Sequence, residues 1–227
     1  MGSDDIFKKR REARKQRRHE YRNPKADSFL IVTEGEKTEP LYFEGMKKLI
    51  EEKLGGNIEI AKVPVIEVSG EGCSTRRLIE AAEQIIKKAK IFYQNVWLVF
   101  DKDDFEDFDQ AIIEGKKKSY KIAWSNQSFE YWLYLHFNYS DSALHRDEWI
   151  RKLDEIFKQY GLGEGRYRKN YDNIYQLVNI YGGVDIAIKY AKSRMTGYDE
   201  TIDRASAYDP GTKVHVLVEE LKRYLDG

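Results

Sequence analysis

The chain has 227 residues, 41% hydrophobic and 34% charged, and its 39 basic and 39 acidic side chains cancel to a formal net charge of zero. A chain of this length supplies one substantial core, and no stretch approaches the roughly 20 apolar residues that a bilayer span requires. The first residues contain no apolar h-region, Ile6 breaks the myristoylation pattern, and Cys73 is the single cysteine, so the expectation is a cytoplasmic protein without disulfides.

Residues 1–24 read as a basic arm. Residues 1–22 carry Lys8, Lys9, Arg10, Arg11, Arg14, Lys15, Arg17, Arg18 and Arg22 against four acidic residues, a net +5 set against −5 for the rest of the chain. The arm has too few apolar residues for a membrane-binding face. A basic arm on a mildly acidic body points to nucleic acid, DNA or RNA, with a solvated helix or leader as the plain alternative. Asn23-Pro24-Lys25 separates the arm from an α/β core expected over residues 25–139.

The run Phe29-Leu30-Ile31-Val32 has the length and continuity of a strand buried on both faces. After the loop Thr33–Lys37, Thr38 and Pro40 suit the start of a helix that ends at Gly55-Gly56. Residues 57–68 are β-rich. Ser74 opens a helix with the stripe Leu78, Ala81, Ala82, Ile85, Ile86 and Ala89. The strongest strand, Asn95–Phe100, runs into Asp101-Lys102-Asp103-Asp104. A short helix over residues 105–118 leads to a strand at 120–124. Ser125-Asn126-Gln127-Ser128 then opens an apolar helix over 129–137. Alternation of this kind predicts a mainly parallel sheet with helices on both faces. Residues 140–227 read as a helical region packed on that core, with helices over 149–160, 184–195 and 212–225.

Ligands of an open parallel sheet bind beyond the carboxyl ends of its strands. Glu34 and Glu36 follow the first strand, Asp101, Asp103 and Asp104 follow the third, and Asn126 and Glu130 follow the fourth. Carboxylates brought together there repel one another, and a hard divalent cation with oxygen ligands removes the penalty. Magnesium, with manganese as an alternative, suits phosphodiester chemistry. Aspartate after a buried strand is also a common helix cap, so this pattern has a purely structural reading as well. The four histidines do not combine with Cys73 into a zinc site, and no P-loop or dinucleotide fingerprint is present. A second basic segment, Arg166-Tyr167-Arg168-Lys169-Asn170-Tyr171, offers phosphate donors and stackable tyrosines, or a surface loop of ion pairs.

Four stretches carry a family resemblance. Phe29–Phe43 (FLIVTEGEKTEPLYF), Val99–Phe105 (VFDKDDF), Ala123–Leu133 (AWSNQSFEYWL) and the C-terminal Pro210-x-Thr212-x-Val214-His215-x-Leu217-Val218 resemble the motifs of RloB-like proteins, in order and spacing. The resemblance implies a Toprim-like, Rossmann-like fold, in which Glu34, Asp101 and Asp103 would hold magnesium. Glu36, Asp104, Asn126 and Glu130 are secondary candidates without a counterpart in the general Toprim pattern. It also implies a phage-defence or restriction-associated role beside an ATPase partner. Two functions stay open: a magnesium-dependent nuclease, with Glu36 or Glu130 as general base or second-metal ligand, and a catalytically inactive subunit that binds nucleic acid or a nucleotide and regulates an ATPase. A phosphohydrolase with Asp101 as nucleophile ranks lower, because Phe105 stands where such enzymes carry Thr or Val.

Overall fold

The computed structural model describes residues 28–54, 57–62, 74–102 and 107–226. The basic arm, with all its expected phosphate contacts from Lys8 to Arg18, lies outside the described residues. So do Asp103 and Asp104.

The described elements are β1 (Ser28–Thr33), α1 (Thr38–Leu54), β2 (Asn57–Lys62), α2 (Ser74–Lys88), β3 (Asn95–Asp101), α3 (Phe108–Lys117), β4 (Lys121–Asn126), α4 (Phe129–Tyr134), α5 (Arg146–Tyr160), α6 (Ile174–Tyr181), α7 (Val184–Arg194), β5 (Gly211–Thr212) and α8 (Val214–Asp226). The sheet order is β2-β1-β3-β4-β5. The first four strands are parallel, and β5 runs antiparallel to β4. The expected α/β architecture with a mainly parallel sheet is therefore present.

Every residue of β1 is buried, because helices cover both faces of the sheet. Side chains alternate between those faces along each strand. Phe29, Ile31, Trp97, Val99 and Ala123 pack with α1 and α4 to α8. Leu30, Val32, Leu98, Phe100, Ile122 and Trp124 pack with α2 and α3. The C-terminal helices add Trp149, Phe157, Tyr175, Ala187 and Leu217 to the first of these cores. Burial of a large apolar side chain contributes roughly 1.5–3 kcal/mol, so this region is bound into the same core as β1. Gly45 lets α6 approach α1, since a Cβ there would stand 2.6 Å from Tyr175 Cβ. Among the described residues no helix is long and apolar enough to cross a membrane.

Several boundaries differ from expectation for tertiary reasons. β4 runs through Ser125 and Asn126 rather than stopping at Trp124, because Ser125 pairs with Asp101 on one side and Thr212 on the other. α5 starts at Arg146, where His145 and Glu148 form a capping box. α6 is an additional helix, held by Ile174, Tyr175 and Val178. The C-terminal motif is architectural: Thr212 Oγ1 donates to the Trp124 carbonyl at 3.2 Å and accepts the Val214 N–H at 3.2 Å, which joins the sheet edge to the start of α8.

Candidate functional site

β1 and β3 are neighbours, with Thr33 opposite Val99. The ladder continues one residue beyond β1, where the Glu34 N–H donates to the Val99 carbonyl at 2.9 Å. Parallel strands end on the same edge, so Glu34 and Asp101 emerge side by side. The Asp101 N–H makes a long bond to Glu34 Oε2 at 3.4 Å.

Alternation along β3 puts Asp101 on the same face as Trp97 and Val99, under α1 and α4. Its Oδ2 accepts the Phe129 N–H at 2.9 Å. Ser128 precedes α4 but makes no side-chain cap, so an aspartate from the neighbouring strand satisfies the first N–H of the helix. Asp101 Oδ1 is buried without a hydrogen-bond partner among the described residues.

Two further carboxylates close on this point. Glu39 lies in the first turn of α1, and its carboxylate rests against Gly35, where an added Cβ would come within 2.1 Å of Oε2. Glycine at position 35 thus leaves the space that Glu39 fills. Glu130, in the first turn of α4, is only 2% exposed. It accepts the Tyr167 hydroxyl at 3.1 Å and pairs with Lys169 Nζ at 3.1 Å, both on Oε1. The segment that carries Tyr167 and Lys169 is tied down by Thr38 Oγ1, which donates to the Lys169 carbonyl at 3.1 Å, and by Asp154 Oδ1, which accepts the Tyr167 N–H at 2.8 Å.

The electrostatics follow from this crowding. Burial pushes the Asp101 carboxyl well above its ordinary range, and repulsion from Glu39, Glu130 and Glu34 adds to it, against the lowering effect of the Phe129 N–H. Burial also lifts Glu39 to about 7, with Glu130 and Glu34 adding and its own backbone N–H and Lys169 opposing. Burial works against the charge on Lys169, but Glu130 and Glu39 prevail and raise its pKa, so the lysine stays cationic. Tyr167 is raised well above 10 by burial and then by Glu130, so it stays a neutral donor. Among the described residues the cluster gathers Glu34, Glu39, Asp101 and Glu130, with the Lys169 ammonium paired to Glu130, and a cation would relieve the crowding of acid groups.

Other expected site residues fall elsewhere. Glu36 is exposed in the loop after β1. Asn126 does not converge with the carboxylates. It follows Trp124 onto the opposite face of the sheet, where its Nδ2 donates to the Ala205 and Ser206 carbonyls at 3.1 Å each. Arg166 and Arg168 are exposed, and Arg168 approaches Glu164 at 3.4 Å. The tyrosines of that segment are not free to stack on bases. Tyr167 is 4% exposed, and Tyr171 stacks on Phe157 while its hydroxyl donates to the Gly163 and Arg166 carbonyls. Glu39, Tyr167 and Thr38 were not expected at the site. The signal available for Glu39 was its position four residues after Gly35, in the first turn of a helix that begins beside the strand end.

No three of the described His, Cys, Asp and Glu side chains are arranged as a metal cage. What they offer is an oxygen-only donor set with one orphaned buried oxygen on Asp101; Asp103 and Asp104, which follow it in the sequence, lie outside the described residues. That donor set fits a hard divalent ion, which usually takes one or two carboxylates from the protein.

A family model described as RloB-like protein matches residues 29–221. The chain belongs to the RloB-like family. No curated protein and no solved structure matches it. In this RloB-like chain, three of the four motif stretches meet at the cluster: the first brings Glu34, Gly35 and Glu39, the second Asp101, and the third Phe129 and Glu130.

Proposed function

We propose that this RloB-like chain is a magnesium-dependent nuclease of Toprim-like type, which hydrolyses phosphodiesters of DNA or RNA in a restriction- or phage-defence-associated system. The observation that carries the reading is Asp101: a half-buried residue whose carboxylate has one oxygen fixed by the Phe129 N–H and the other buried without a partner among the described residues, with Glu34 beside it just past the end of the next strand. Glu34 and Asp101 would hold the metal, with Asp103 and Asp104 as further ligands. Bound there, the ion would polarise a phosphoryl oxygen and offset charge on the leaving oxygen. The chain's own residues have separable tasks. Phe129 N–H orients Asp101. Glu130, with Glu36 as the exposed alternative, can take a proton from an attacking water. The basic arm, Arg166, Arg168 and Lys169 can bind phosphates without reading bases. An ATPase subunit of the same locus is the expected partner.

A second reading is a non-catalytic subunit that binds nucleic acid or a metal-chelated nucleotide and regulates that ATPase. It is favoured by the pairing of Lys169 with Glu130, which occupies one of the proposed catalytic carboxylates. Labelled DNA and RNA incubated with the purified protein in magnesium, in manganese and in chelator separate the two. Metal-dependent cleavage supports the nuclease. Metal-dependent binding without cleavage supports the regulatory subunit. A protein indifferent to metal in both respects overturns both readings of the site.

A further inference from the structure

Among the described residues, Lys169 is a basic residue whose ammonium pairs directly with a carboxylate of the cluster. Its ammonium reaches Glu130 Oε1 at 3.1 Å while its side chain remains 46% exposed, against 3% for the Glu130 side chain. The two halves of this residue behave differently. Its backbone is pinned through Thr38 Oγ1. Its charged end is held by an ion pair and hydrogen bond to the Glu130 carboxylate at 3.1 Å, and the half-exposed stem has room to swing towards solvent. Glu130 keeps the Tyr167 hydroxyl as a second donor at 3.1 Å, so departure of the lysine would not leave its carboxylate bare. Asp101, on the adjoining strand end, has a buried oxygen for which the described residues supply no donor.

We propose that Lys169 is a displaceable counter-ion: a divalent cation entering the carboxylate cluster releases its ammonium from Glu130, and the freed ammonium then binds a phosphate of the nucleic acid. The inference rests on the metal-site reading above and adds to it an ordered coupling between cation and polyanion. Before the ion arrives, Lys169 offsets part of the repulsion among Glu34, Glu39, Asp101 and Glu130. Once the ion is present, two cations share the same carboxylates and repel each other, and the flexible one moves. A phosphate bridging metal and lysine stabilises both. Metal and nucleic acid therefore raise each other's affinity by the same factor. Free metal and metal-free nucleic acid each bind more weakly than the pair.

Manganese binding, followed by calorimetry or by the electron spin resonance of the free ion, tests the first half in the full chain. Lys169→Met removes the competing charge and should tighten manganese binding on the order of tenfold, the scale for a unit charge a few ångströms away in a partly solvated site. Lys169→Arg should stay near wild type. Because Lys169→Met leaves Glu130 without its cation, the double variant Glu130→Gln/Lys169→Met provides a background in which nothing is left unpaired, and there the tightening should vanish. The second half is read from the salt dependence of single-stranded DNA binding with and without magnesium. Magnesium should add about one counterion to the wild-type slope, a change of roughly 0.7, and should add none for Lys169→Met. Equal manganese affinity in wild type and Lys169→Met, or an equal gain of slope in both, overturns the displacement. A wild type that binds no manganese instead overturns the metal-site reading on which it rests, so the two failures are told apart.

Discussion

Helix α1 meets the segment formed by α4 and the turn after it at two polar points, and the two are opposites. At one end, Glu39 and Glu130 join Asp101 in a cluster short of positive charge. At the other, Tyr42 and His136 form a closed network: the Tyr42 hydroxyl bonds His136 Nε2 at 3.1 Å, and His136 Nδ1 bonds the Trp132 carbonyl at 3.1 Å. Burial lowers His136 to about 4 and raises Tyr42 well above 10, so both are neutral. The same burial thus has two consequences. Where the Tyr42 hydroxyl and both His136 nitrogens find partners, it holds α1 against the segment that follows α4. Where like charges meet and an oxygen is orphaned, it stores a cost that a ligand can remove.

The largest effect should come from breaking the charged end. Asp101→Asn keeps a group that can accept from Phe129 N–H but removes a negative charge. Metal-dependent cleavage should fall at least about a hundredfold, since even a residue that only orients a ligand commonly costs 10–100-fold. Magnesium-induced stabilisation in a thermal melt should disappear, while stability in chelator stays level or rises. Equal magnesium stabilisation and equal cleavage in both proteins would leave Asp101 with only its capping role.

The closed end should respond in the reverse manner. His136→Ala removes a fully buried ring and strands the Tyr42 hydroxyl, a loss of about 3 kcal/mol from cavity formation and the lost bonds. Denaturant midpoints measure it. The magnesium-induced shift should be unchanged. If the shift were lost as well, the two polar points would be one cooperative unit rather than two.

How much of this was legible in the sequence depends on what each residue needed. Glu34 and Asp101 follow directly from apolar runs that end in acid, because strand neighbours in a parallel sheet share an edge. Glu39 was hidden, because an acidic residue in the first turn of a helix reads as a complement to the helix dipole; only the missing Cβ of Gly35 admits it to the site. Asn126 was misplaced by a strand boundary. With β4 extended by two residues, alternation puts Ser125 on the Asp101 face and Asn126 on the other. The fate of Tyr167 could not be read locally, since its burial depends on Thr38, 129 residues away. β5 has two residues and no period at all.

A smaller effect, opposite in sign at the two points, is expected with pH. Glu39 holds a proton up to about 7 in the folded chain, against an ordinary value of 4.5. Between those values the folded state binds more protons than the unfolded one, so this group lowers stability as pH rises. Asp101 acts in the same direction from 3.8 upward. His136 and His215, both lowered to about 4, act the other way: the unfolded chain binds their protons below 6.5, so they raise stability between pH 4 and 6.5. Glu39→Gln isolates the first contribution. The variant should match wild type below pH 4.5 and exceed it by on the order of 2 kcal/mol at pH 7 and above. Saturating magnesium should narrow the gap, because the ion neutralises the wild-type cluster. Parallel stability–pH curves for the two proteins would show that Glu39 does not share the cost.

The smallest effect sharpens the comparison most. Tyr42→Phe keeps the ring, which meets Phe43, Phe129, Trp132 and Tyr175 edge to face, and removes only the hydroxyl. With His136 Nδ1 donating to the Trp132 carbonyl, Nε2 is the acceptor, and in the variant it is buried without a donor. The expected loss is about 1–2 kcal/mol, the desolvation cost of one orphaned acceptor. Tyr42 and Glu39 lie three residues apart on α1, near enough to couple if the polar points communicate. A cycle of Tyr42→Phe, Glu39→Gln and the double variant at pH 7.5 measures that coupling. Additivity within about 0.5 kcal/mol is the expected result, because the hydroxyl belongs to a neutral network that the carboxylate charge does not enter. A larger interaction energy would mean that charge at the strand ends is felt by the His136 network, and the contrast between a locking end and a ligand-accepting end would have to give way to a single polar core.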